Sequence, residues 1–419
     1  MRILLGAFSI SPFLGSEPGL GWRVASGLSR HHDVTVLCGD LHLHGPTEEG
    51  LARLRQHIRA QGHERLTLEY VTPSWSARGL HFLHPFPGLW PLYYPAYRQW
   101  QRAAEQVARR LHRDRPFDLV HQLNLIGYRE PGFFWRLGIP FFWGPISGAS
   151  VIPAPFLREM RGLQKWRWMS RNVLNPWQSR GSRRCRAAAR VAKKVWAVSR
   201  EDQTMVQSWG AEAHLMLEVG ADLDGTSRIR KWTDHLRLVW SGRFDAGKAL
   251  PILFQALRRL EGKNLSVKFS LDVLGDGPEK ERWLREFRQM GLRTPIRWLG
   301  MLPRDEALAV MEQKDVLVLT SLKEATASVT LEALSMGMPV ICHDACGMAV
   351  AVTSACGIKV PMIDPQASAE GFAAALERLG LDRGLLPALS AGAIQRAQGL
   401  SWKNKISEIL TAYQVAGGI

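Results

Sequence analysis

Cysteine is sparse in this chain: Cys38, Cys185, Cys342, Cys346 and Cys356 are five in 419 residues. A small, odd set argues against a disulfide framework and reads as free thiols in a reducing compartment. Long apolar runs are missing too. No stretch offers the ~18 uninterrupted apolar residues of a membrane-spanning helix. The opening MRILLGAFSISPFLG has too short an apolar run for a secretory leader, and no small-residue cleavage site comes after it. A buried first strand in a cytoplasmic protein is expected instead. Acid is scarce beside base: 38 Asp and Glu against 54 Lys and Arg give a formal net charge of +16. That excess argues for a polyanionic partner, whether nucleic acid, an anionic membrane face or a phosphate-rich substrate. Repeats, heptads and low-complexity tracts are absent.

What is present is alternation. Strand-like runs stand at 2–8, 33–39, 66–71, 118–123, 139–144 and 194–199, and again at 236–242, 267–275, 296–300, 315–321, 338–344 and 357–361. Amphipathic stretches such as LPILFQALRRLEG (250–262) and EKERWLREFRQMG (279–291) lie between them. Such alternation predicts parallel sheets covered by helices on both faces. It occurs twice, around a polar hinge at 220–235. The expected fold class is α/β, with two Rossmann-like doubly wound domains facing a central cleft. Ligands in such sheets bind outside the carboxyl ends of the strands. Residues 1–222 form the expected first domain and 223–400 the second. Two insertions break the rhythm: an aromatic, Pro- and Gly-rich segment at 75–100, and a basic, Trp-containing segment at 156–194 in which Glu159 is the sole acid.

The stretch KEATASVTLEALSMGMPVI (323–341) sets Glu324 and Glu332 eight positions apart. In one continuous helix they would lie about 80° apart in azimuth and roughly 12 Å apart along the axis, too far for one small ligand. DVLVLTS reads as a strand and KEATA as a loop, with Ser328 as cap of a helix starting near Val329. Glu324 then ends a strand, and Glu332 lies in the first turns of a helix. The N–H groups of Ala327, Ser328 and Val329 point to an anion site. Carboxylates that read hydroxyls beside a phosphate-holding helix end suit a sugar nucleotide. The same pattern also suits a plain helix start with acid in its first turns.

SGRFDAGK places Gly242, Arg243 and Lys248 just after the strand LRLVWSG, and LGDGP (274–278) is a second glycine-rich turn after a strand. Arginine grips phosphate bidentately, and lysine adds a mobile point charge. With WLG (298–300) and the E-x7-E pair, these residues resemble a family 4 glycosyltransferase of the GT-B fold. MRILLGAFSISPFLGSEPGLGW, WAVSRED and EVGAD resemble the first half of that family more loosely. SW at 401–402, with the helical stretch after it, resembles the family's C-terminal helix, which implies that 401–419 crosses back to the first domain.

The resemblance implies an enzyme, a retaining transferase of the hexosyl class, and roles for single positions. Arg243 and Lys248 would neutralise the donor diphosphate. Glu324 would contact the transferred sugar, and Glu332 the ribose hydroxyls. Amides near Ser328 and Val329, and near Gly15 and Ser16, would cradle phosphates and sugar. Gly275 would approach the base. The family's loop after the first Glu usually carries a Gly and an aromatic. Here it is Ala325-Thr326-Ala327, which implies a different sugar pocket. His121 is the candidate for the family's cleft histidine, although aligning it could equally put Leu123 there, and a strand-end histidine also serves structurally. Glu17 could face a ligand or cap the helix after the glycine loop.

Cations and N–H dipoles would stabilise the leaving phosphate in a closed cleft. The implied route is front-face, the acceptor hydroxyl passing its proton to the departing phosphate. No Asp-x-Asp motif stands at a strand end, so no cofactor and no obligatory metal are expected. CHDAC (342–346) has a spacing that matches no standard zinc site. The basic insertion 156–194 suits an anionic membrane interface, and with family habit this implies a lipid-linked glycan acceptor, cell-surface polysaccharide or lipopolysaccharide assembly, and a peripheral place on the cytoplasmic membrane. A solvated basic helix packed by its Trp residues is the alternative for that segment. A sugar-nucleotide epimerase, a soluble-acceptor synthase and a nucleic-acid-binding protein are the competing functions. No nucleic-acid-binding signature is visible, so no nucleic-acid partner is expected.

Overall fold

A computed structural model describes residues 1–39, 48–84, 86, 89–223, 227–263 and 265–417. Positions 85, 87 and 88 of the aromatic segment, 224–226 of the expected hinge and the last two residues lie outside the described residues. The chain forms two compact units.

The first unit takes residues 1–149, 177–219 and 402 onward. Its sheet has seven parallel strands: β1 (Arg2–Ala7), β2 (Asp33–Cys38), β3 (Leu66–Tyr70), β4 (Leu119–Asn124), β5 (Phe141–Ile146), β6 (Ala192–Ala197) and β7 (Ala213–Leu215). The order is β3-β2-β1-β4-β5-β6-β7, so the winding reverses between β1 and β4. Strands β1, β4 and β5 are almost wholly buried, which is why they read as continuous apolar runs rather than as alternation. Two apolar clusters are built on this sheet, one including Trp100, Trp143 and Trp209, the other Leu5, Phe142 and Tyr413. Within the aromatic insertion the helix Trp75–Leu83 is capped by the Ser74 hydroxyl, and Tyr93–Asp114 comes next. The C-terminal helix Trp402–Gly417 packs on the helix Ser16–Ser29 so closely that a Cβ at Gly27 would lie 2.8 Å from Ile406.

The second unit takes residues 150–176 and 220–401. Its six parallel strands are β8 (His235–Ser241), β9 (Lys268–Leu274), β10 (Ile296–Gly300), β11 (Val316–Leu319), β12 (Val340–His343) and β13 (Gly357–Val360). The order β10-β9-β8-β11-β12-β13 repeats the winding of the first sheet and reverses between β8 and β11. That reversal is where a doubly wound sheet opens a binding crevice. Residues 150–176 pack here: Ile152, Phe156, Leu157 and Met160 belong to the second unit's core. The helix Gly162–Gly181 is thereby divided at Pro176 between the two groups of residues.

Candidate functional site

The loop after β8 is built around a short 3-10 turn, Ala246–Lys248. Asp245 caps it: its carboxylate accepts from the Gly247 N–H at 2.9 Å, and its carbonyl from the Lys248 N–H at 3.0 Å. The end of β11 holds the turn from the other side. The Thr320 hydroxyl donates to the Lys248 carbonyl at 2.7 Å and accepts from the Trp240 indole N–H at 3.0 Å. The Leu322 N–H donates to the Gly247 carbonyl at 2.8 Å. The backbone of Lys248 is thus tied to the strand that leads to Glu324.

Lys248 Nζ and Glu324 Oε1 form an ion pair, with side chains 21 % and 16 % exposed. Burial pushes the lysine ammonium below its ordinary range, and Asp245 pulls it partly back. Arg243, five residues before Lys248, differs. Its side chain is exposed, with no hydrogen bond or ion pair among the described residues. One cation is held by the first glutamate, and the other is free for an anion.

The two glycine-rich loops support each other. Gly275 has φ +126°, and a Cβ there would lie 1.9 Å from the Gly242 carbonyl oxygen. Gly277, at φ +156°, faces the Phe244 carbonyl at 2.6 Å in the same way. Cross-loop bonds run from the Gly242 N–H to the Leu274 carbonyl at 3.0 Å and from the Phe244 N–H to the Asp276 carbonyl at 2.9 Å. Packing against the Arg243 loop therefore demands glycine at 275 whatever else approaches it.

After β11 the helix runs Ser328–Ser335. Ser328 is its first residue, not its cap, which corrects the expected start at Val329. The cap position falls to Ala327, in the left-handed region at φ +57°, ψ 88°, with no side-chain capping bond. An Ala cannot accept a hydrogen bond, so no capping side chain occupies the first-turn N–H groups of Ser328 and Val329. Thr326 is buried. Glu332 lies one turn into the helix and accepts from Arg304 Nη2 at 3.0 Å. A Cβ at Gly347 would lie 1.6 Å from the Ala325 carbonyl oxygen, so the start of the helix Cys346–Ala351, which comes after β12, packs against this loop. Gly242, Arg243, Lys248, Gly275, Glu324, Thr326, Ala327, Ser328, Val329 and Glu332 all stand at or just beyond the carboxyl ends of β8, β9 and β11.

Gly15, Ser16 and His121 belong to the first unit. Gly15 stands at the start of the helix Ser16–Ser29 with nothing within 4 Å of a Cβ, and Ser16 has φ +56°. The Glu17 carboxylate accepts from the Ile126 N–H at 2.9 Å, tying the glycine loop to the segment after β4 instead of capping its own helix. Burial raises its pKa. His121 is fully buried, its Nε2 2.7 Å from the Gly144 carbonyl and its Nδ1 2.6 Å from the Tyr413 hydroxyl. The carbonyl can only accept, so Nε2 carries the proton and the Tyr413 O–H donates to Nδ1. Both nitrogens are spent inside the core. This gives His121 a structural role here, pinning the C-terminal helix to β4, and burial lowers it to about 4.

His343 of CHDAC is likewise buried, its ring nitrogens engaged by the Ser321 carbonyl and the Ser368 hydroxyl. Among the described residues no group of three or more His, Cys, Asp or Glu could hold a metal ion. The sequence reading missed Asp245, Thr320 and Arg304. Asp245 had a legible signal, since a short acidic residue two positions before a glycine is a common local cap.

Residues 228–395 match the family Glycosyl transferases group 1. The matched glycosyl transferase segment contains the loops after β8, β9 and β11. Over 237 residues the chain is 29 % identical to a D-inositol 3-phosphate glycosyltransferase of Streptomyces bingchenggensis, covering 52 % of this chain and 51 % of the relative. The chain thus spans about half the length of that curated relative. Among solved structures, Anabaena HepE in complex with UDP and glucose superimposes with TM-score 0.54 at 17 % identity, over 98 % of this chain and 100 % of the other. WaaG, a glycosyltransferase involved in lipopolysaccharide biosynthesis, gives 0.54 at 16 % identity over 100 % of both chains. At such identities the likeness shows the fold, which is GT-B, with two doubly wound α/β units.

Proposed function

We propose that the chain is a retaining glycosyltransferase that moves a sugar from a nucleotide-diphosphate donor to a hydroxyl of a lipid-linked glycan. The observation that carries this reading is the Arg243 guanidinium, unpaired among the described residues, in the same loop as the Lys248 that pairs with Glu324, at the winding reversal between β8 and β11. Arg243 and the N–H groups of Ser328 and Val329 take the diphosphate. As negative charge grows on the leaving phosphate, they and Lys248 stabilise it without reorganising. Glu324 exchanges part of its lysine contact for a sugar hydroxyl, and Glu332 exchanges Arg304 for the ribose. The acceptor hydroxyl gives its proton to the departing phosphate on the same face. No metal is required in this route. The glycosyl transferase match over 228–395 and the UDP complex of Anabaena HepE support the donor class.

A lipid-linked acceptor is supported by the helix Gly162–Gly181. Leu163, Trp166, Val173 and Trp177 are 73 %, 70 %, 74 % and 73 % exposed. Leu163, Trp166 and Val173, all in the second unit, have the spacing of one helical stripe. Lys165, Arg167, Arg171 and Arg180 flank it, and the helix has no acid. Exposed Trp with surrounding base suits an anionic bilayer surface, and WaaG's role in lipopolysaccharide biosynthesis agrees with such an acceptor. No helix among the described residues is long and apolar enough to cross a membrane. The place proposed is peripheral, on the cytoplasmic face.

The test is nucleotide release from UDP-, GDP- and ADP-sugars, with and without lipid-linked acceptor. Release that depends on acceptor, with the anomeric configuration kept, is expected. Epimer formation without acceptor would point to an epimerase. Vesicles with anionic lipid should pellet the protein in a salt-sensitive way. A nucleic-acid gel shift in place of pelleting would overturn the membrane partner.

A further inference from the structure

The helix Gly162–Gly181 has a second face. Gln164, Trp168 and Asn172 recur at intervals of four and so lie on one side. Gln164 Oε1 accepts from the Ala246 N–H at 3.1 Å. That N–H opens the 3-10 turn and has no acceptor within the turn itself. A Cβ at Gly247 would lie 3.5 Å from Trp168 Cζ2, so the indole rests against the same turn. Lys323, the neighbour of Glu324, has its ammonium 6.0 Å from the Trp168 ring centroid and donates to the Ser150 carbonyl. Asn172 closes the arrangement by accepting from the Ile152 N–H at 3.2 Å. The turn leaves Lys248 through Ala249, which is left-handed at φ +47°. An alanine holds that conformation only where its surroundings impose it.

We propose that Gln164 and Trp168 are positioning residues for the donor site: from outside the strand-loop motifs they hold the backbone of 246–247 so that Lys248 meets Glu324 and the diphosphate. The proposal rests on the assignment of a nucleotide-diphosphate donor to this site. It assigns a catalytic consequence to a segment that precedes the glycosyl transferase match by more than fifty positions in sequence.

Calorimetric titration of the full chain with UDP, GDP and ADP tests it. Gln164→Met removes the accepting oxygen at nearly constant volume and should weaken binding of the nucleotide that the wild type takes by about fivefold. The melting temperature and vesicle pelleting should stay at wild-type values. Gln164→Glu keeps an acceptor at the same reach and should restore binding to within about twofold. A fraction of misfolded protein would lower the number of sites without changing the Kd. A Gln164→Met protein with wild-type Kd, or equal loss in both variants together with a lowered melting temperature, overturns the positioning role alone. A wild-type chain that binds none of the three nucleotides overturns the donor reading and this inference with it.

Discussion

Lys248 and Glu324 form an ion pair between the loops that extend from two hydrogen-bonded neighbour strands, β8 and β11. Each side chain is mostly withdrawn from water, so removing one leaves the other as an uncompensated, half-buried charge. Glu324→Ala should lower turnover by about a hundredfold and reduce the melting temperature by a few degrees. Steady-state kinetics beside a thermal scan decides it. Wild-type turnover would end the sugar-contacting role.

Arg243 should behave differently. Its side chain is exposed and unpaired among the described residues, so nothing in the fold depends on it. Arg243→Ala should cost about a hundred- to a thousandfold in kcat with no change in urea midpoint. Full activity in that variant would remove the phosphate role.

Glu332 is held by Arg304, whose side chain is 62 % exposed, so that pair contributes little to stability. Glu332→Ala should weaken nucleotide binding by about tenfold, consistent with a lost charged hydrogen bond. Arg304→Ala should leave binding intact or tighten it. Equal calorimetric affinity in wild type and Glu332→Ala would count against the ribose assignment.

Two glycines separate fold from function. Gly275→Ala puts a Cβ 1.9 Å from the Gly242 carbonyl oxygen at φ +126°, and should cost at least about 2 kcal/mol or abolish folding. Gly15→Ala meets nothing within 4 Å at an ordinary φ of −78°. Its stability should be unchanged, and a drop in kcat/KM would show that a ligand approaches that backbone. Denaturation curves and kinetics on both variants give the comparison.

His121 and His343 are buried and neutral, each lowered to about 4 by desolvation. Above an unfolded-state pKa of about 6.5 neither contributes a pH dependence. Between about 6.5 and 4 the unfolded chain binds protons that the folded chain refuses, so stability falls as pH falls. The slope reaches about 1.4 kcal/mol per pH unit for each histidine. Urea midpoints at pH 7, 6 and 5 measure it. His121→Gln should remove one histidine's share, and an unchanged slope would contradict its neutral state.

Strands are legible because burial on both faces turns them into unbroken apolar runs. DVLVLTS reads as a strand at 315–321, and the fully buried β11 occupies Val316–Leu319 within it. Only β7, three residues long, has too little pattern to find. The E-x7-E spacing can be interpreted because a loop has to follow Glu324 before the helix that carries Glu332 begins. The helix start is misplaced by one residue because serine is the usual cap, whereas here the chain turns through a left-handed Ala327. The sequence leaves His121 open between a cleft and a structural role because its partner, Tyr413, lies 292 positions away in sequence.

By itself the sequence determined the double strand-helix winding and the loops that carry Arg243, Lys248 and the two glutamates, since hydrophobic period and strand-end chemistry are local properties. Tertiary structure alone decided three things: which cation is free, which glycine is forced by a neighbouring carbonyl, and that residues 150–176 brace the second unit. Each depends on contacts between segments far apart in the chain, and no local pattern encodes which groups a fold will bring within about 3 Å of one another.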